Sequence, residues 1–172
     1  MDCFVILLSS LRYGISFNSC FSVLYGGNDL KTIEELEKFL EEESYSFVEL
    51  SIGNHFAPQG IVIKQEGNEY IFGYSERGTL NVIKSFRTEE ELVIYALDQL
   101  ENDKWMKSHL VAWTWTEKEI KDAERELESM GILFERNDIP NYDLKHGRAY
   151  RIFVFGKDVK ILSDFRKKYF RP

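Results

Sequence analysis

Apolar residues recur at helical spacing in three stretches of the chain, and the same polar device precedes each one. Ile33, Leu36, Phe39 and Leu40 make the first stripe, Val93, Ala96, Leu97 and Leu100 the second, and Ile120, Ala123, Leu127 and Met130 the third. Ahead of them stand Thr32 with Glu35, Thr88 with Glu91, and Thr116 with Glu119. This is capping-box spacing: the Thr hydroxyl accepts from the Glu N–H, and the Glu carboxylate reaches back to the Thr N–H. The other faces of these segments are charged, so each helix is expected to cover something with one side only. A fourth helix is predicted from Asp158 to about Tyr169, burying Ile161, Leu162 and Phe165.

Between the helices the pattern shortens to strands. Residues 47–52 alternate, with Val48, Leu50 and Ile52 on one face. Residues 60–66, 69–74 and 79–86 follow as a meander whose turns contain Gly67 and Gly78. Further strands are predicted at 109–115, 132–136 and 148–155, and the apolar opening MDCFVILLSS also reads as a strand. That opening has Asp2 where a secretory signal has basic residues, and it is too short to span a bilayer. The expected fold is α+β: a mostly antiparallel sheet with about four helices packed on it. The chain is read as a single domain over residues 1–172, with a possible soft joint near 102–108.

Charge then narrows the partner. A formal net charge of −7 disfavours nucleic acid, where phosphate neutralisation supplies most of the affinity, and favours a basic partner. The two cysteines, Cys3 and Cys20, lie among apolar residues without CxxC spacing and are read as free thiols of a cytoplasmic protein.

Catalytic patterns are missing. His55, His109 and His146 are far apart in sequence and lack ligand spacing, so no metal or other cofactor is expected. There is no Gly-x-Ser-x-Gly elbow, and Gly26-Gly27 lacks the spacing of a phosphate cradle. The acidic runs at 41–43 and 89–91 read as solvated faces, and the Trp113 and Trp115 pair reads as core. Tyr70, Phe72 and Tyr74 share one strand face. The connection 137–148 gathers Asp138, Tyr142, Asp143, His146 and Arg148 between two strands, a placement suited to binding.

The aromatic strand with Glu76-Arg77-Gly78, the capped helix after Phe86 and the Trp113/Trp115 strand before a third capped helix carry a resemblance. From Tyr70 to about Phe155, roughly half of the chain, the sequence resembles immunity proteins of bacterial polymorphic-toxin systems. These are small cytoplasmic proteins that neutralise a cognate toxin domain by binding it. The resemblance implies a binding protein without catalytic residues, and a protein partner, a basic toxin domain. Tyr74, Glu76 and Arg77 at the hairpin tip and Asp138, Tyr142 and Asp143 in the long connection are the expected partner-binding residues. Two other readings stay open. One is an enzyme whose site folding assembles around Asp143, His146 and Arg148. The other is a nucleic-acid-binding regulator that uses the basic segment 157–172.

Overall fold

The computed structural model describes residues 30–145 and 147–172. The expected opening strand, the thiols of Cys3 and Cys20, the Gly26-Gly27 turn and His146 lie outside the described residues. The fold is α+β, but it has two sheets where the sequence pattern suggested one.

The first half runs α1 (Ile33–Glu42), β1 (Leu50–Ile52), β2 (Gly60–Glu66), β3 (Glu69–Glu76), β4 (Thr79–Phe86) and α2 (Glu89–Glu101). The capping boxes of α1 and α2 form as expected: Thr32 and Thr88 accept from the N–H groups of Glu35 and Glu91, which return the bond. Glu89 also accepts from Ile33 N–H at 2.7 Å, so the start of α2 completes the first turn of α1. The sheet order is β1-β2-β3-β4, with β1 parallel to β2 and the rest antiparallel. Leu36 and Leu40 of α1 and Leu92, Val93, Ala96 and Leu100 of α2 close over Leu50, Ile52, Ile63 and Phe72. Val48 departs from its predicted face and is 77% exposed, because a turn at 48–49 shortens the strand to Leu50–Ile52. The hairpin after β3 turns through Arg77 and Gly78, both at positive φ. That is the type I′ geometry which matches the twist of a two-residue hairpin.

A 3-10 turn at Lys104–Lys107 leads into the second half. There follow β5 (Ser108–Thr114), α3 (Glu117–Ser129), β6 (Phe134–Arg136), β7 (Ile139–Asp143), β8 (Gly147–Phe155), another 3-10 turn at Gly156–Ile161, and α4 (Ser163–Tyr169). Strand β8 lies between β5 and β6 and pairs antiparallel with both, and β7 extends it as a hairpin. With α3 crossing between β5 and β6, this is a split β-α-β unit. Val111, Ala112, Ile152 and Val154 pack under Ile120, Ala123 and Leu127 of α3 and Phe165 and Tyr169 of α4.

Three expectations need correction here. The third cap is incomplete as a box: Glu119 N–H donates to Thr116 Oγ1, but the Glu119 carboxylate accepts from the Thr116 hydroxyl at 2.8 Å instead of from the Thr116 N–H, and also meets Arg171. The fourth helix is divided, so Leu162 and Phe165 are buried while Ile161 points outward at 66% exposure. Met130 ends α3 as its C-cap and lies outside the core.

The halves meet through specific polar contacts. His109 Nε2 lies 2.8 Å from the Ser44 carbonyl, Ser46 N–H donates to the Met106 carbonyl at 2.7 Å, and Lys157 pairs with Glu43 at 2.6 Å.

Candidate functional site

Helices α3 and α4 take one face of the second sheet, and strand alternation decides what the other face presents. Trp113 on β5 pairs in register with Arg151 on β8, and Leu110 with Phe153. These side chains point away from Ala112 and Ile152, which belong to the helix-covered core. The far face therefore carries a continuous row of rings. Trp105 makes edge contacts with Phe153 and Phe155, with centroids 5.5 and 5.6 Å apart. Trp113 meets Trp115 at 6.1 Å, and Tyr142 closes on both, at 5.4 and 5.5 Å. Arg151 lies between the two groups, its guanidinium 5.5 Å from the rings of both Trp113 and Phe153. Lys104 caps the other end over Trp105 and Phe155. All these separations fall within the range where a cation is attracted to a ring face.

The expectation that Trp113 and Trp115 are core is overturned, since both are half-buried on a face that α3 and α4 leave uncovered. Trp105 and Tyr142 are exposed at 37% and 45%. The indole N–H of Trp113 is buried and meets no hydrogen-bond acceptor among the described residues.

Local backbone geometry aims Tyr142 onto the Trp pair. The β7–β8 ladder shifts register between Ile139 and Asp143, and Asn141 sits there at φ 55°. Asn tolerates this left-handed conformation better than most residues, and such a bulge re-aims the neighbouring side chain. The connection between β6 and β8 is thus partly a strand.

A charged clamp holds this strand in place. Arg136 Nε donates to Asp138 at 3.0 Å and Arg136 Nη1 donates to Glu124 on α3 at 2.7 Å. Arg151 N–H donates to Asp138 at 3.2 Å, and the Arg151 side chain donates to the Asn137 carbonyl at 2.7 Å. Burial pushes the Asp138 carboxyl upward, but Arg136, the Arg151 N–H and nearby Arg148 outweigh it and hold the group below its usual range. Burial lowers the Arg151 guanidinium and Asp138 opposes that, and a guanidinium so placed remains charged.

The residues singled out from sequence fall into two places. Tyr142 is part of the aromatic face. Asp138 is the clamp beneath its strand, a positioning role, and Asp143 accepts from Lys145 N–H at 2.9 Å in the turn that follows. Tyr74, Glu76 and Arg77 lie on the first sheet at the β3–β4 tip, with Glu76 and Arg77 exposed. The sequence reading missed Trp105, Arg151, Phe153 and Phe155. Alternation across β8 places Arg151, Phe153 and Phe155 on one side, and that was the signal available.

Two clefts lie along α3. One of about 520 Å³ lies between α3 and α4, lined by Glu119, Asp122, Arg125, Glu126, Lys168 and neighbours. Its charges are paired: Lys168 holds the Glu126 carboxyl low, and Arg171 meets Glu119. Among the described residues, those able to hold a metal lie on the first half, where Glu37, Glu41 and His55 converge. No helix among the described residues is long and apolar enough to cross a membrane. Comparison with protein-family models, with curated proteins and with solved structures finds no match.

Proposed function

We propose that the chain is a binding protein that grips a protein partner with the far face of its second sheet and inhibits it. In this reading it resembles, in action, the toxin-neutralising proteins that residues 70–155 suggest. One observation carries the proposal: a row of partly buried Trp and Phe rings, with Trp105 and Tyr142 exposed at its ends and Arg151 set between the rings. Trp, Tyr and Arg are the residues that dominate binding energy at protein interfaces, and a contiguous apolar face of this kind marks an interaction surface. The rings already contact one another, so little side-chain freedom is lost on docking. The net charge of −7 would steer a basic partner toward the chain.

The basic C-terminal segment gives less support to a nucleic-acid reading, because Lys157, Lys168 and Arg171 already pair with Glu43, Glu126 and Glu119. The test is recovery of a partner from the source cells, followed by titration calorimetry with the purified pair. The reading requires a stoichiometric complex in which the partner's own activity is lost. It also requires Tyr142→Ala and Arg151→Ala, each shown by circular dichroism to be folded at the temperature of the titration, to weaken the complex at least about tenfold, roughly 1.4 kcal/mol. Equal affinity in both variants, or a complex in which the partner stays fully active, sinks it.

A further inference from the structure

The first half holds a ligand set that the binding reading does not use. Glu37 and Glu41 are four residues apart on α1 and so project from one side of the helix. His55, from the loop between β1 and β2, faces them: its Nε2 lies 2.7 Å from Glu41 Oε1 and 3.8 Å from Glu37 Oε1. The three ligand atoms all lie within 4.8 Å of one another. Two carboxylates and an imidazole at this spacing are a donor set for a first-row divalent ion.

Two of the three ligands, Glu37 and His55, are held in place by something else, which separates the cluster from a chance meeting of surface charges. The Glu37 side chain is nine-tenths buried, at 10% exposure. The Asn54 N–H donates to its Oε1 at 2.7 Å, and this is the one hydrogen bond the carboxylate accepts among the described residues. Gly53, at φ 53°, lies against the same carboxylate, and a Cβ there would fall 2.1 Å from Glu37 Oε2. A side chain at position 53 would therefore displace the Glu37 carboxylate from this position. The His55 ring is stacked on Phe47 with centroids 3.7 Å apart and planes 15° from parallel, which fixes the direction of Nε2. An outer donor on a ligating carboxylate and a ring locked by packing are the supports that metal ligands need.

We infer that Glu37, Glu41 and His55 bind a divalent transition-metal ion, with Zn2+ the best fit, and that the ion fastens α1 to the β1–β2 loop. A Zn2+ ion about 2.0–2.2 Å from nitrogen and oxygen donors keeps neighbouring donors roughly 3–3.5 Å apart. The Glu41–His55 contact at 2.7 Å has to open slightly and the Glu37–His55 contact at 3.8 Å to close slightly, the ion replacing the proton between Glu41 and His55. Three protein ligands leave at least one coordination position for water or another donor. Ca2+ wants six or more oxygens and fits this set poorly.

The test uses the full-length, chelator-stripped and reduced chain, titrated with Zn2+ alone. Binding is followed by calorimetry and by the imidazole NMR signals, assigned with His55→Ala. The expected result is one saturable Zn2+ site that shifts the His55 signals. In His55→Ala and Glu41→Gln the affinity falls by at least about tenfold, the scale that losing even an outer support of a ligand costs. Both substitutions change partly or largely exposed side chains, and circular dichroism checks that the fold is kept. A Cys3→Ser/Cys20→Ser chain repeats the titration to separate thiolate binding. No saturable site, equal affinity in His55→Ala, or shifts confined to His109 and His146 would overturn the assignment.

Discussion

Each sheet is roofed by two helices, yet the faces turned away from those helices differ in kind. In the first sheet, register places Val62, Gly73 and Val82 in one row of the far face and Lys64, Ile71 and Ser85 in the next. Its aromatic residues, Tyr70, Phe72 and Phe86, go the other way and pack against Tyr95 and the α2 core. The second sheet does the reverse. Its helix side is aliphatic, with Val111, Ala112, Ile152 and Val154, and its far face holds the rings and Arg151. Aromatics spent on the core supply area to the fold, whereas aromatics on the far face are outside the area that α3 and α4 cover. The comparison assigns stability to the first sheet's rings and makes the second's the surface that the proposed partner would use.

The largest expected effects test whether the two cores behave as one. Leu100 in the first core and Leu127 in the second are both fully buried. Replacing either with Ala should cost about 2–5 kcal/mol, a large fraction of a typical domain's stability. All three Trp residues, Trp105, Trp113 and Trp115, lie beyond α2, so Trp fluorescence reports the second half while circular dichroism reports both. Given the contacts between Ser46 and Met106, His109 and Ser44, and Lys157 and Glu43, the two signals should move together in Leu100→Ala. Loss of dichroism before any change in fluorescence would show two cores that unfold separately.

Next in size is the contrast between the far faces. Tyr142→Ala should lower partner affinity by about 2 kcal/mol if its ring is an interface anchor. Val82→Ala on the far face of the first sheet should change affinity by less than about 0.5 kcal/mol. Calorimetry with one partner preparation compares them directly. A larger loss from Val82→Ala would reverse the roles given to the two sheets.

Acid sensitivity should also belong to the second half. Asp138 has its carboxyl held low by Arg136 and the Arg151 N–H, despite burial that opposes them. Its contribution to stability is thus complete above the unfolded-state value, near 3.8, and is lost as pH falls through the lower folded-state value. Asp138→Asn should be less stable than the parent at neutral pH, and the difference should shrink toward zero as the pH drops below about 4. Denaturant titrations at several pH values measure it. A gap that stays constant with pH would mean that the clamp is held by shape and not by charge.

These contrasts also show how far the chain could be read unaided. The starts of α1, α2 and α3 were legible because capping is local: a Thr and a Glu three residues on decide it among themselves, whereas α4 has no such cap and starts later than its apolar spacing suggests. The meander was legible for the same reason, through its turn residues. What sequence could not supply was the layer lying over each strand face. Trp113 and Trp115 have the spacing of core residues, and only the position of α3 and α4 turns them outward. Nor does spacing show that Glu37 and Glu41 meet His55 fourteen residues further on, because that meeting depends on β1 being short and the loop turning back at Gly53. Val48 and Ile161 were misplaced by the same limit, each lying where a regular element ends early.

The smallest expected effect concerns the β3–β4 tip, where stability and recognition can be set against each other. Arg77 has φ 51° and Gly78 φ 78°, the pair of positive values that a type I′ turn demands. Asn-Gly is the favoured pair for that turn, whereas a residue like Arg carries a steric cost in the left-handed region. Arg77→Asn should therefore raise stability by a few tenths to about 1 kcal/mol, seen as a higher denaturation midpoint with an unchanged slope. If the tip only joins two strands, partner affinity will not change. If Arg77 is kept for contact with a partner, the stabilised variant will bind more weakly, and recognition will then extend to the first sheet as well. A midpoint that falls would show that the Arg77 side chain stabilises the fold by more than its backbone conformation costs.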